Sequence, residues 1–209
     1  FMQDMIVHHA QAVEMSALVK DRTNRKEIIE AAGRITASQD DEMKFMRGWL
    51  AERGQPPMRV GQIRRQVLAN RAATFEEMSD LPKNLRADLA AAFRVFSTTV
   101  ERHLFATSDD THKLVLRLHD GGMIECVLIQ DQGRATACVS TQVGCGMGCV
   151  FCASGLNGVV RNLTSGEILE QLVRLRNLTD PATTNPDRAP RLTHIVVMGM
   201  GEPLANLEN

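Results

Sequence analysis

The apolar positions of the chain fall into two regimes, a helical period through the first half and strand-like alternation through much of the second. Over residues 1–19, Met2, Met5, His9 and Val13 recur at helical spacing with Ile6 and His8 alongside, which predicts an amphipathic helix. From about Lys26 to Leu50 a second stripe carries Ile28, Ala32, Ile35, Gln39, Met46 and Trp49. The short polar turn Asp21-Arg22-Thr23-Asn24 between them favours two antiparallel helices, and so small a hairpin buries little without a partner. Gly54-Gln55-Pro56-Pro57 breaks the pattern. Beyond it Val60, Ile63, Val67 and Leu68 form a compact helical stripe with Arg64, Arg65 and Arg71 outside it. Thr74-Phe75-Glu76-Glu77 fits a capping box, and Leu81-Pro82 opens a helix with Leu85, Leu89, Phe93 and Phe96 on one face.

After Thr107 the period changes. Lys113 to Leu118, the turn His119-Asp120-Gly121-Gly122, and Met123 to Ile129 read as a β-hairpin, and Arg134 to Ser140 as a further strand. Thr164-Ser165-Gly166-Glu167 caps a helix through Ile168, Leu169, Leu172, Val173 and Leu175. A polar linker from Asp180 to Pro190 leads to Ile195-Val196-Val197-Met198, expected as a short buried strand. Strand, helix and strand in this order predict one βαβ unit with a parallel pairing. The fold class expected is therefore α+β followed by α/β.

At 209 residues the chain is long enough for one large or two smaller cores. Its net charge of −1 is uneven: residues 53–100 carry 8 basic and 4 acidic side chains, net +4, while both flanks are acidic. A basic middle is compatible with nucleic acid and equally with a solvated helical face. No run of about 18 apolar residues and no secretion signal is visible, so no membrane association is expected. The 5 cysteines are odd in number and crowded into one region, which excludes a secreted disulfide framework and favours a reducing, cytoplasmic setting.

Cys145, Cys149 and Cys152 are spaced C-x3-C-x2-C, with Gly144, Gly146 and Gly148 interleaved so that the backbone can curl tightly. Three thiolates on one short loop suit an iron–sulfur cluster with one iron left open for another ligand. Structural zinc and unliganded thiols are the alternatives, and zinc ordinarily takes a second pair of ligands that does not follow here. By themselves Glu125 reads as an exposed strand carboxylate, and Cys138 and Cys126 as small buried side chains. His8 and His9 among Met2, Met5 and Met15 read as a copper-type site or as the edge of a methionine-rich core.

The N-terminal run Met5-Ile6-Val7-His8-His9-Ala10-Gln11-Ala12-Val13-Glu14-Met15, with Met46-Arg47-Gly48-Trp49-Leu50, resembles the C-terminal half of the ferritin-like family designated domain of unknown function 305. Its members are mostly exported helical bundles without an established activity. The cysteine loop, the capped helix and a strand ending in Gly201-Glu202-Pro203 together resemble the radical S-adenosylmethionine enzymes. The runs Arg134 to Cys145, Phe151 to Gly155, Arg161 to Thr164 and Val197 to Leu204 narrow this to a resemblance to the RlmN/Cfr adenosine methyltransferases of ribosomal RNA. Phe75 to Lys83 is similar to the signature of that family's N-terminal helical domain.

The resemblance implies a partial (β/α) barrel, a [4Fe-4S] cluster on Cys145, Cys149 and Cys152, and S-adenosyl-L-methionine on the open iron. Gly201, Glu202 and Pro203 would hold the cofactor's amino group and Phe151 would lie near its adenine. The implied reaction is methylation of carbon 2 of adenosine, with carbon 8 the alternative, in 23S ribosomal RNA and in transfer RNA as a second substrate. Flavodoxin or ferredoxin would supply electrons. Cys138 corresponds to the cysteine that resolves a covalent adduct, and Glu125 to its proton acceptor. The methyl-carrying cysteine of the family falls beyond Asn209, so the chain as given is expected to be an inactive fragment. Three domains are expected: a helical hairpin over 1–52, a helical accessory domain over 53–105, and the first part of the barrel over 106–209. The two resemblances meet near residues 45–60, where a join of unrelated modules is expected. The alternative function is a helical metal-binding or interaction module centred on His8 and His9.

Overall fold

The computed structural model describes residues 44–131, 134–179 and 192–206. The hairpin expected over residues 1–52, with His8 and His9, lies almost wholly outside them. The described residues divide into two compact units, one ending at Phe96 and the other beginning at Ser97.

The first unit is helical. Residues 44–52 form helix, α1 spans Met58–Leu68 and α2 spans Lys83–Ala92. Their apolar stripes meet in one core that includes Met46, Leu50, Val60, Ile63, Met78, Leu85 and Leu89. Trp49 packs edge-on to Phe93 with centroids 4.9 Å apart, and the Arg53 guanidinium lies 3.8 Å above the Trp49 ring. The break at residues 54–57 therefore turns the chain without ending the core. Two expectations fail here. Thr74 to Glu77 forms turns and no helix, because the Glu77 carboxylate accepts the Ala73 N–H at 2.7 Å, upstream of the donors a capping box would serve. The helix after Pro82 stops at Ala92: Phe93 is already extended (φ −141°), so Phe96 is not part of its face.

The second unit is a five-stranded sheet with a helix on one face. Its strands are β1 (Thr99–Ala106), β2 (Thr111–Arg117), β3 (Met123–Asp131), β4 (Arg134–Cys138) and β7 (His194–Val196), in the order β1-β2-β3-β4-β7. The first four pair antiparallel and β4 pairs parallel with β7, as the βαβ reading requires. β5 (Gln142–Gly144) and β6 (Val159–Asn162) make a separate two-stranded ribbon. β1 lies where the helical period suggested more helix, and its Thr98-Thr99-Val100 start is β-branched and suits a strand. β7 is not buried among the described residues: Ile195 is 56% exposed.

Alternation fixes which face of the sheet is dry. Leu114, Leu116, Ile124, Cys126, Leu128, Ala135 and Ala137 point to one side, where α3 (Ser165–Leu178) supplies Leu175 to the same core. Burial there pushes the Cys126 thiol up to about 12, so it is an inert core residue. α3 begins as its sequence predicts, with Thr164 Oγ1 accepting the Glu167 N–H at 3.2 Å and the Glu167 carboxylate accepting the Thr164 N–H at 2.9 Å. No helix among the described residues is long and apolar enough to cross a membrane.

α3 also buries a carboxylate that ties down the start of the sheet. Glu170 accepts from the backbone N–H and hydroxyl of both Ser97 and Thr98, at 2.6–3.0 Å, and from Arg174 Nε at 2.9 Å. Burial alone would push its carboxyl up, yet these donors hold it below its ordinary value. Its contribution to stability is therefore full above the unfolded carboxylate pKa of ~4.3 and is lost as the pH falls through the lower folded value. Glu170→Ala should cost roughly 3–5 kcal/mol, since it removes the acceptor of four donors at Ser97 and Thr98 and one bond of Arg174. Glu170→Gln should flatten the acid limb of a stability–pH profile measured by urea denaturation. An unchanged profile would show that the clasp does not form.

Candidate functional site

Ser140, Thr141 and Gln142, the residues between β4 and the cysteine loop, organise the site. The Ser140 N–H donates to Gln171 Oε1 at 2.8 Å, and Gln171 Nε2 donates back to the Ser140 carbonyl at 3.0 Å. The Ser140 hydroxyl donates to the Glu125 carbonyl at 2.6 Å and accepts the Met200 N–H at 2.7 Å. The N–H groups of Thr141 and Gln142 both reach the Met200 carbonyl, at 2.8 and 3.2 Å. The Gln142 amide accepts the Glu202 N–H at 2.9 Å and donates to Asn162 at 2.8 Å. Asn206 Nδ2 bridges the carbonyls of Thr141 and Leu163, at 2.8 and 2.9 Å. The hairpin, α3, β6 and the Gly-Glu-Pro turn thus meet on three consecutive residues.

Two glycines make that approach possible. A Cβ on Gly199 would lie 2.6 Å from the Ser140 hydroxyl. One on Gly201, whose φ is +103°, would lie 2.7 Å from the Gln142 nitrogen. Neither position admits a side chain without moving the turn that presents Glu202 and Pro203.

The cysteine loop is closed at its neck by the β5–β6 ribbon, and the Cys145 N–H donates to the Gly158 carbonyl at 3.0 Å. A Cβ on Gly144 (φ +78°) would run into that same carbonyl. Within the loop the Cys152 N–H donates to the Cys149 carbonyl at 3.0 Å. Cys145 and Cys152 are half-buried and Cys149 is exposed. Phe151 is 89% exposed, and Val150 and Met147 are also exposed. The structure does not bring the three thiols into a ligand group; no cluster of three potential metal ligands occurs among the described residues. Donor chemistry nevertheless fits an iron–sulfur centre: three thiols on one glycine-rich loop, with the Cys152 thiol lowered by its hydrogen bonds to Ser154. Buried and without a partner, the Thr141 hydroxyl sits at the root of the loop.

Glu125 and Cys138 share the sheet face opposite the core, because Cys138 pairs with Val127, two residues from Glu125. The Glu125 carboxylate binds Lys113 Nζ at 2.7 Å. Burial raises the Cys138 thiol above its ordinary value, against a hydrogen bond from the Met198 backbone. Cys138 is thus a protonated thiol near neutral pH and needs a base to act as a nucleophile.

Sequence reasoning missed Ser140, Gln142, Gln171 and Asn206, whose role is visible only through their backbone partners. It also missed the partner of Glu167. Arg161 binds the buried Glu167 carboxylate through two nitrogens at 2.8 Å and reaches Asp120 through Nε, bracing β6 against α3 and the hairpin turn. The Arg161 hydrogen bond brings Asp120 down to about 2. The Thr164–Glu167 box gave a local signal for Glu167, but nothing local pointed from it to Arg161.

Comparison with known proteins places this arrangement. The first 103 residues match the family described as "Domain of unknown function (DUF305)". The crystal structure of a radical SAM methyltransferase from Sphaerobacter thermophilus matches with a TM-score of 0.68 and 41% identity, over 78% of this chain and 46% of that one. The fold is therefore similar to that of a radical SAM methyltransferase. Within that class the likeness narrows to RNA methyltransferases named RlmN. The "Probable dual-specificity RNA methyltransferase RlmN" of Rhodopirellula baltica is 56% identical over 162 residues, 78% of this chain and 42% of that protein. A protein of the same description from Lysinibacillus sphaericus is 38% identical over 205 residues, 97% of this chain and 49% of that protein. The chain spans about half the length of the curated relatives it matches. The two likenesses overlap in the first half of the chain.

Gly201→Ala should destabilise the second unit by roughly 1–3 kcal/mol, through backbone strain and the clash with Gln142. Urea denaturation would measure it, and amide shifts at Ser140 to Gln142 should move with it. A variant as stable as the parent, with those amides unmoved, would mean the turn does not dock as described.

Proposed function

We propose that this chain is a portion of a radical S-adenosylmethionine methyltransferase acting on adenosine in RNA. One observation carries the reading: the neck of the cysteine loop and the Gly-Glu-Pro turn are bonded to the same three residues, Ser140 to Gln142. That adjacency is what a cluster-bound cofactor needs, since one end of it must meet the loop while its polar groups meet the turn. Cys145, Cys149 and Cys152 would hold a [4Fe-4S] cluster, and Gly201, Glu202 and Pro203 with Phe151 would bind S-adenosyl-L-methionine. Bound there, the cluster and cofactor supply the radical chemistry that an unreactive aromatic carbon of adenine requires.

The chain's own residues have separate tasks in this reading. Ser140 and Gln142 orient the turn against the loop. Cys138 would be the thiol that, once deprotonated, attacks the sulfur of a methylene-bridged cysteine–RNA adduct: a disulfide forms, the carbon–sulfur bond breaks with its electron pair left on the carbon, and that carbon takes up a proton to leave the methylated RNA. Its raised pKa makes it a proton store until a base takes the proton. Glu125 would accept the proton that leaves the adenine carbon, and Lys113 Nζ, 2.7 Å away, holds its carboxylate in place. The basic helical residues 53–100 would contact the phosphate backbone of ribosomal or transfer RNA, with flavodoxin or ferredoxin as electron donor in the cytoplasm. The division into a 1–52 hairpin, a 53–105 accessory domain and a 106–209 barrel portion is part of the same proposal.

Anaerobic reconstitution of the chain with iron and sulfide should give a brown protein with a broad visible absorbance. Cys145→Ala should lose most of that absorbance while Cys126→Ala keeps it. A colourless product, or equal absorbance in both variants, would overturn the assignment.

A further inference from the structure

Away from the cysteine loop, the β1–β2 hairpin brings two histidines together. His103 Nε2 and His112 Nδ1 face each other at 2.9 Å, and their ring centroids are 5.2 Å apart with the planes 25° from parallel. The two rings therefore point nitrogen at nitrogen, and one proton is shared between two lone pairs. His103 is exposed, while the His112 ring is largely covered and rests on Phe105 with centroids 4.5 Å apart. On its far side His112 Nε2 faces the Asp110 carboxylate at 3.7 Å, and Gln130 Nε2 holds that carboxylate at 2.8 Å. Asp110 is one of two non-glycine residues with positive φ among the described residues (φ +50°), so the backbone is bent to present it.

We propose that His103 and His112 form a two-imidazole site for a divalent first-row transition ion of the kind imidazole prefers: zinc, nickel or copper. The ion takes the place of the shared proton. Two nitrogens at about 2.0–2.1 Å from a tetrahedral ion stand roughly 3.3 Å apart, so the exposed His103 ring must withdraw by a few tenths of an ångström and turn so that its lone pair meets the ion. No proton need be released from the neutral pair. The hydrogen between the rings moves to an outer nitrogen, either His112 Nε2, with the Asp110 carboxylate 3.7 Å away, or Nδ1 of the exposed His103. A carboxylate behind a ligating histidine fixes the ring and makes its free nitrogen more basic. Water completes the coordination, since no group of three protein ligands is assembled among the described residues. The site is independent of the cysteine loop and of the function proposed above.

The test uses the full chain carrying Cys145→Ser, Cys149→Ser and Cys152→Ser, which removes competing thiolates. Zinc chloride is titrated while the histidine ring nitrogens are followed by nitrogen-15 NMR. His103 Nε2 and His112 Nδ1 should shift together to metal-bound positions. His103→Ala, an exposed substitution that spares the fold, should weaken zinc binding at the His112 ring at least tenfold. Asp110→Asn should weaken it less while leaving both rings responsive. Unshifted rings, or zinc binding as tight in His103→Ala as in its parent, would overturn the proposal. So would shifts confined to His119, His194 or the N-terminal histidines.

Discussion

The second unit depends on the backbone of Ser140, Thr141 and Gln142, where the chain leaves the five-stranded sheet at β4 and enters the β5–β6 ribbon. A buried backbone donor or acceptor without a partner costs free energy comparable to a lost hydrogen bond. Here the partners come from different elements: Gln171 from α3, Met200 from the glycine-rich turn, Asn206 from the short helical turn Pro203–Asn206. Satisfying those groups therefore also assembles the site. The Ser140 hydroxyl adds the hairpin by donating to the Glu125 carbonyl. Glu125 is thus held by its main chain to the segment that roots the cysteine loop.

α3 meets the same constraint from the other side. A helix packed on a sheet ordinarily offers apolar residues, but this one buries Glu167, Glu170 and Gln171. Each is saturated: Glu167 by Arg161 and its own cap, Glu170 by Ser97, Thr98 and Arg174, Gln171 by Ser140. Unpaired, such groups would be costly to bury; paired, they fix one register of helix against sheet, because a shift of one residue would strand all three. Generic hydrophobic packing through Leu175 and its neighbours would tolerate small slides that this polar set does not.

Elements defined by local rules were legible in the sequence, and those defined by distant partners were not. The hairpin through Lys113 and Met123, the Thr164 cap and the parallel pairing of β4 with β7 follow from alternation, capping and connection length, and the structure contains them. The box at Thr74 failed because Glu77 had a competing local donor in Ala73. β1 was hidden because its residues are exposed along their length and show no alternation. Cysteine spacing picked out the loop, and the family resemblance the turn. Gln142 and Gln171 carry no spacing signal, because a buried glutamine announces itself only through the backbone it serves.

The clasp between Glu170 and the pair Ser97–Thr98 joins residues more than 70 positions apart. The Ser140–Met200 contact joins residues 60 apart. Loop-closure entropy makes such contacts late events, whereas the β2–β3 hairpin needs only its own turn. The order in which the unit acquires structure is therefore set by its polar contacts. During synthesis the hairpin can form early. The docking of the turn on Ser140 to Gln142 must wait until residue 206 has left the ribosome, and until then the cysteines belong to an open chain exposed to oxidants and stray metals.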